Sequence, residues 1–338
     1  MDERLSPPAA PAPLAVAVIG LGWIGEAHLA DLAARDDVRI TAVCDIDAER
    51  VVDFAGRYGA TGYSETRAMF AEHPVDAVWI CTPPQHHLAP TLLAVDRGIA
   101  VYLEKPIARD IRDAREIVRA VTERGVVCAV GYQWHALELL DRMRTGLADQ
   151  RIGYLLGQSI GPTAARPWFL SRARGGGNLL ERGSHQIDLV RAIAGEVTSV
   201  RAVASSVRLD RPDATGRDID DALTLVLYLA SGAVATIAIA WTPDGTPGTY
   251  SMDVVSSGGV LHLALDPVFQ LTGTDRGAAV AASSSTVPFT ASNSRFLAAV
   301  RAEEPTEVAC SPRDAIATLR VALAGERALA TDQRVSVE

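Results

Sequence analysis

Lys105 stands directly before Pro106, at the end of the apolar run from Ile99 to Glu104. An ammonium crowded at that point could hydrogen-bond a substrate oxygen, or shift its pKa enough to pass protons. A lysine in a solvated turn would leave the same trace. Further on, Glu181 and His185 lie four apart in a stretch with helical spacing, so they share a face. Imidazole is a natural base for an alcohol proton, and a neighbouring carboxylate could orient it or bind substrate. A surface ion pair has the same spacing. His28, His86, His87 and His135 are open to similar readings, with His28 packing inside the first helix. No pair of them has metal-ligand spacing backed by a third ligand, so no metal is expected.

These groups need a partner that accepts or donates hydride, and the start of the chain offers a place for one. Residues 16–28 run from an apolar β-pattern straight into Gly20-Leu21-Gly22-Trp23-Ile24-Gly25, and a helical pattern follows. Gly20 permits a tight turn, Gly22 lets backbone approach phosphate, and Gly25 lets helix and strand lie close. Trp23 and Ile24 open the helix whose N–H groups face the anion. Three glycines alone are weak evidence. A second strand, Val38 to Cys44, ends in Asp45, where an acid would bind a ribose 2′-hydroxyl. With both parts present the expected cofactor is NAD. NADP is disfavoured because Ile46 supplies no cation, although Arg50 lies one turn further on.

The elements that must position these residues follow from period. Up to residue 131, short β-branched runs alternate with helical patterns: helices at 47–58, 65–72, 86–97 and 110–124, strands at 75–81, 99–104 and 126–130. This order predicts right-handed βαβ units and a parallel sheet with its ligand at the carboxyl ends of the strands. Cys81, Thr82, Pro83, His86, Glu104 and Lys105 then line the cofactor crevice. After residue 135 come an amphipathic helix, a strand near 154–160, an Arg- and Trp-bearing loop at 161–177 and a helix at 178–194. Long β-runs at 197–209, 222–230, 233–241, 251–256 and 260–265 predict a largely antiparallel sheet covered by helices. The 222–241 hairpin is apolar on both faces, which suggests a second subunit on one of them. The Gly/Ala/Ser-rich stretch 273–286 reads as a mobile loop, and helices near 292–303 and 312–330 close the chain.

A chain of 338 residues suits two domains: a loose Pro/Ala-rich leader at 1–13, a cofactor domain at 14–131 and a substrate and assembly domain at 132–338, whose last helix packs back on the first. The formal charge of −9, with no basic stripe, argues against nucleic acid and anionic membranes as partners. Cys44, Cys81, Cys128 and Cys310 have no CxxC or Cys/His spacing and read as reduced thiols of a cytoplasmic protein. No apolar run is long enough to span a bilayer.

Taken together, G-x-G-x-x-G-x-x-H, Cys-Thr-Pro-Pro-x-x-His, Glu-Lys-Pro and Gly-Gly-Gly-x-Leu-Leu-Glu-x-Gly-x-His-x-x-Asp-Leu resemble the glucose–fructose oxidoreductase / inositol dehydrogenase family (Gfo/Idh/MocA). The likeness is strong over residues 14 to about 200 and rests on pattern beyond that. It implies a Rossmann domain plus an open-sheet domain that often builds a homodimer or homotetramer. It also implies that Lys105 and His185 act at the nicotinamide face, that Gln133 and His135 contact substrate, and that Trp168 covers a sugar ring. The family more often has Asp where this chain has Glu181, a longer arm that bears on substrate geometry more than on chemistry. Arg166, Arg172 and Arg174 crowd the loop near the implied pocket and suit an anionic substrate, or else a solvated loop or subunit contact. The expected activity is NAD-dependent oxidation of a secondary alcohol of a sugar, cyclitol or sugar derivative. A redox-assisted glycoside-cleaving enzyme and a non-catalytic NAD-binding regulator are the alternatives.

Overall fold

The computed structural model describes residues 12–162, 168–175, 177–207, 218–243 and 245–338. Six parallel strands form the first sheet: β1 (Leu14–Ile19), β2 (Val38–Cys44), β3 (Thr61–Tyr63), β4 (Ala77–Ile80), β5 (Ala100–Leu103) and β6 (Cys128–Val130). Their order is β3-β2-β1-β4-β5-β6, so the strand order reverses between β1 and β4, where a ligand crevice is expected. Every residue of the central strands β4 and β5 is buried, as βαβ crossovers on both faces require; Val78, Trp79, Val101 and Tyr102 have no exposed surface. Local signals set the helix starts. Asp47 accepts from the N–H groups of Glu49 and Arg50 to cap the helix Ala48–Tyr58, and Asp110 does the same for Ile111–Arg124.

The second sheet has nine strands: β7 (Ile152–Pro162), β8 (Val197–Ser205), β9 (Ala222–Leu229), β10 (Val234–Thr242), β11 (Thr249–Ser256), β12 (Gly259–Asp266), β13 (Phe269–Asp275), β14 (Ala278–Ser284) and β15 (Val335–Ser336). Their order is β14-β13-β12-β11-β7-β10-β9-β8-β15, and every pairing but the parallel β7–β10 pair is antiparallel. Residues 273–286 are therefore not a loose loop. Phe269–Asp275 pairs with β12 on one side and with Ala278–Ser284, the edge strand, on the other. Backbone ladder bonds do not require large side chains, so an edge hairpin forms despite weak β-propensity.

Two late helices join the sheets. Phe296, Leu297 and Ala299 of the helix Pro288–Ala302 pack in one cluster with Val16, Val18, Trp79 and Tyr102 of the parallel sheet. The helix Pro312–Thr331, opened by a Ser311–Asp314 capping box, contributes Leu319, Val321 and Ala322 to a core shared by both sheets. No helix among the described residues is long and apolar enough to cross a membrane.

Candidate active site

At the crevice between β1 and β4 the three glycines meet three different constraints. Gly20 has φ +90°, and a Cβ there would lie 2.7 Å from the Cys81 carbonyl carbon. A Cβ on Gly25 would overlap the Gly20 carbonyl oxygen, whereas one on Gly22 would meet nothing within 4 Å. Gly22 thus faces open space at the start of the helix Trp23–Ala33, which is what a pyrophosphate needs. Asp45 ties this turn to the end of β2: Oδ2 accepts from Leu21 N–H at 2.6 Å and Oδ1 from Asp47 N–H at 2.9 Å. Trp23 and Ile46, 66% and 96% exposed, flank the turn. Arg50 is drawn to Asp47, 3.3 Å away.

The loop after β4 is held from beneath. His87 has no exposed surface, and its Nε2 lies 2.8 Å from the Thr82 carbonyl and its Nδ1 3.3 Å from that of Ile107. Burial lowers the pKa of this ring against the pull of both carbonyls, and a neutral imidazole, with one N–H, donates to only one of them at a time. His86 is exposed, its carbonyl taking the Thr82 hydroxyl. The Cys81 thiol is buried and held protonated by desolvation and by Glu104; what packs against Gly20 is its backbone.

Lys105 carries the next link. Its Nζ donates to Glu181 Oε2 at 2.7 Å and to the Glu181 carbonyl at 3.3 Å. Burial opposes the ammonium charge, yet Glu181 and Glu104 outweigh it and hold Lys105 above the ordinary lysine value of 10.5. Glu181 itself does not lie on a regular helix. Leu179–Gly183 form a π-turn, and α-helical geometry begins at Ser184. From this wider turn Glu181 pairs with Lys105.

His185 is moved the opposite way. Burial, then the positive charges of Lys105 and Arg182, push its imidazole well below 6.5, so it is neutral at pH 7. Its walls are aromatic: Trp134 at 4.9 Å and Tyr132 at 5.7 Å between ring centroids, with Tyr250 stacked edgewise on Trp134 at 5.0 Å. Lys105 and Arg182 both act on the Tyr250 phenol, which burial nevertheless holds above its ordinary value. Trp134, Tyr250 and Arg182 were not singled out from sequence. Trp134 sits between the two residues that were, and Tyr250 joins the site only through the pairing of β11 with β7.

Other expected contacts lie elsewhere. His135 Nε2 is 2.6 Å from Asp188 Oδ2, and Asp188 Oδ1 takes the Thr318 hydroxyl at 2.9 Å. Cys310 lies close enough to complete a His135–Asp188–Cys310 grouping, but both Asp188 oxygens already have hydrogen-bond partners and burial holds the Cys310 thiol strongly protonated. Gln133 is half-buried on the same short 3-10 turn. Trp168 packs with Phe169, Ile219 and Trp241 in a small apolar cluster. Arg172 is held by Asp220 at 2.8 Å and by the Asp218 carbonyl at 3.3 Å. Those bonds are formed within the chain. Arg174 is exposed, and Arg166 lies outside the described residues.

The model of the oxidoreductase family with an NAD-binding Rossmann fold matches residues 14–132, and that of the GFO/IDH/MocA C-terminal domain matches residues 151–274. The chain belongs to the Gfo/Idh/MocA oxidoreductases. Among this family it is 26% identical over 337 residues to inositol 2-dehydrogenase of Rhizobium meliloti (strain 1021), across 95% of this chain and 98% of that one. It is also 26% identical over 255 residues to 4-carboxy-2-hydroxymuconate-6-semialdehyde dehydrogenase of Sphingobium sp. (strain NBRC 103272 / SYK-6), across 72% and 77% of the two chains. A levoglucosan dehydrogenase solved with NADH and L-sorbose superposes with a TM-score of 0.87 at 20% identity, across 97% of this chain and 100% of that one. As a Gfo/Idh/MocA member the chain is an NAD-using oxidoreductase, and the open crevice at Gly22 beside Asp45 fits that cofactor.

The Asp45 carboxylate clamps the glycine turn, and a ribose hydroxyl at the end of β2 is its expected further partner. Asp45→Ala is expected to weaken NAD binding by about ten- to hundredfold, with a smaller change for NADP. Titration of each nucleotide by tryptophan fluorescence checks this, and equal NAD and NADP affinities in the unmodified protein would contradict the assigned role.

Proposed function

We propose that this enzyme interconverts a secondary alcohol and ketone of a sugar, cyclitol or sugar derivative, with His185 as the proton acceptor and Lys105 as the cation on the reacting oxygen. The observation that carries the reading is the opposite displacement of two adjacent groups: His185 is kept neutral and Lys105 is kept charged. An alcohol needs both, a base for its proton and a positive charge to stabilise the developing alkoxide. When bound, the nicotinamide supplies or accepts the hydride. Gly20, Gly22, Trp23, Ile24 and Gly25 would hold the pyrophosphate end, Asp45 the ribose, and the Cys81–Thr82–Pro83 and Glu104–Lys105 turns the far half. Glu181 keeps Lys105 aimed and charged, while Trp134 and Tyr250 offer an aromatic wall for a ring. The match to inositol 2-dehydrogenase along nearly both whole chains favours a polyol ring over a semialdehyde. Incubating the purified protein with NAD and a panel of cyclitols, free sugars and glycosides, and following NADH absorbance, tests the reading. Turnover is expected with ring polyols. A protein that binds NADH but oxidises none of them would be an NAD-dependent regulator.

Assembly follows from the second sheet. Leu223, Leu225, Leu227, Ile237 and Ile239 are buried, while Thr224, Val226, Tyr228, Thr236 and Ala238 form the half-exposed opposite face. Val203, Tyr154 and Val255 extend it, being in register with Thr224, Val234 and Tyr154 respectively. A second copy through this face would bury it. Light scattering is expected to show a dimer or tetramer at about micromolar concentration, and a smaller species for Val226→Asp. A monomeric unmodified protein would exclude the interface.

A further inference from the structure

We propose that His28 and Glu104 share a single proton and, as that pair, hold the Glu104–Lys105–Pro106 turn in the geometry that sets Lys105 against Glu181. The argument is a count of hydrogens. His28 has no exposed surface and Glu104 is 8% exposed. The Trp79 indole can only donate, and its Nε1 lies 3.0 Å from Asn293 Oδ1. The other end of that amide, Nδ2, donates to Asp31 Oδ2 at 2.8 Å. Two independent partners therefore fix the same orientation of Asn293, with Oδ1 as acceptor. His28 Nδ1, 3.1 Å from that oxygen, must carry a hydrogen. What remains is His28 Nε2, 3.2 Å from Glu104 Oε1. A bare nitrogen facing a carboxylate would set lone pair against lone pair in a buried site. One proton consequently lies between them, either on the imidazole or on the carboxyl.

The rest of Glu104 explains what the pair is for. Oε2 accepts from the backbone N–H of Lys105 at 3.1 Å, so the carboxyl fixes the first peptide of the turn. It is wedged there: a Cβ on Gly131 would lie 2.8 Å from Glu104 Oε1. The titratable groups facing Glu104 besides His28 are Lys105, His87, Cys81 and Tyr102. His87 is kept neutral by burial, and Cys81 and Tyr102 are kept protonated by it, so none of these three brings a compensating charge. A pair carrying one proton has no net charge, so Glu181, at 2.7 Å, is the carboxylate that pairs directly with the Lys105 ammonium, and Glu104 adds only the weaker attraction of its own oxygens. His28 and Glu104 touch no reacting atom in this scheme; they are positioning residues for Lys105.

The test uses Glu104→Gln and Glu104→Ala in the full-length protein, with His28→Leu as a third variant. A glutamine amide can supply the hydrogen toward His28 Nε2 and its carbonyl can take the Lys105 N–H. Glu104→Gln is therefore expected to keep more than about a tenth of kcat, and Glu104→Ala and His28→Leu less than about a hundredth, while KM for the alcohol moves less than about threefold. A merely structural loss would lower the stoichiometry of NADH binding without separating kcat from KM. Glu104→Gln as slow as Glu104→Ala would overturn the proposal. The second readout needs no turnover, which keeps it distinct from the dehydrogenase reading on which the role of Lys105 rests. In ¹⁵N-histidine-labelled protein, His28 Nδ1 is expected to show a directly bonded proton, as its 3.1 Å approach to Asn293 Oδ1 requires. A His28 ring bare at Nδ1 would overturn the shared proton even in an enzyme that turns over.

Discussion

Replacing His185 by Ala is expected to lower kcat by about 10²–10⁴-fold while leaving NAD affinity almost unchanged. The size follows from what is removed: an imidazole kept neutral beside the Lys105 ammonium, between the Trp134 and Tyr132 rings. Its pH dependence is as specific as its magnitude. Because burial, Lys105 and Arg182 hold His185 well below 6.5, the imidazole is already deprotonated at neutrality. Alcohol oxidation should rise with pH on a limb lying below pH 6.5 and run flat through pH 7 on this account. The slow His185→Ala variant should lack that limb. The same shift affects stability. Between the lowered folded value and the unfolded value of 6.5, the unfolded chain binds the extra proton, so stability falls as pH drops below 6.5. Stopped-flow rates and denaturation midpoints across that range check both statements. A limb centred at or above the ordinary histidine value would show that Glu181, not burial, controls the ring.

How much of this was readable beforehand depends on whether local or distant residues decide. The glycine turn, Asp45 and the alternation of strands and helices are local, with periods of two and 3.6, and the parallel sheet follows from them. Residues 273–286 were misread because Gly, Ala and Ser carry little β-propensity of their own; the ladder to β12 forms the hairpin regardless. The spacing of Glu181 and His185 assumes a regular helix, whereas Leu179–Gly183 form a π-turn ahead of the α-helix that carries His185. Sequence spacing does not announce a wider turn. His28 looked like a packing residue, and it is fully buried, but its partners Glu104 and Asn293 lie 76 and 265 positions away. Arg172 shows the converse: a local cluster of arginines suggested an anion, and the partners Asp218 and Asp220 come from a distant strand entry.

The Lys105–Glu181 pair makes the other large prediction, because its two members fail differently. Lys105→Ala removes the cation proposed to act on the reacting oxygen and leaves Glu181, 8% exposed, without its counter-charge. The expected loss in kcat is again about 10²–10⁴-fold, but here the acidic limb belonging to His185 survives and moves upward, since one of the two positive charges depressing that ring is gone. Glu181→Gln should cost less, about ten- to hundredfold, because the amide oxygen can still accept from Nζ. Its signature lies at the other end of the pH range. In the unmodified enzyme Lys105 sits above 10.5, so the pair's contribution to stability is fully present below pH 10.5 and is lost as pH rises through the folded value. Without the Glu181 charge, burial meets less opposition and the ammonium value falls. Glu181→Gln should then show a new descending limb on the alkaline side as Lys105 loses its proton. Rates measured from acid to alkaline pH for the three proteins decide the roles. If the acidic limb disappears in Lys105→Ala and persists in His185→Ala, the lysine is the base, and Glu181 serves to hold back its proton until substrate binds.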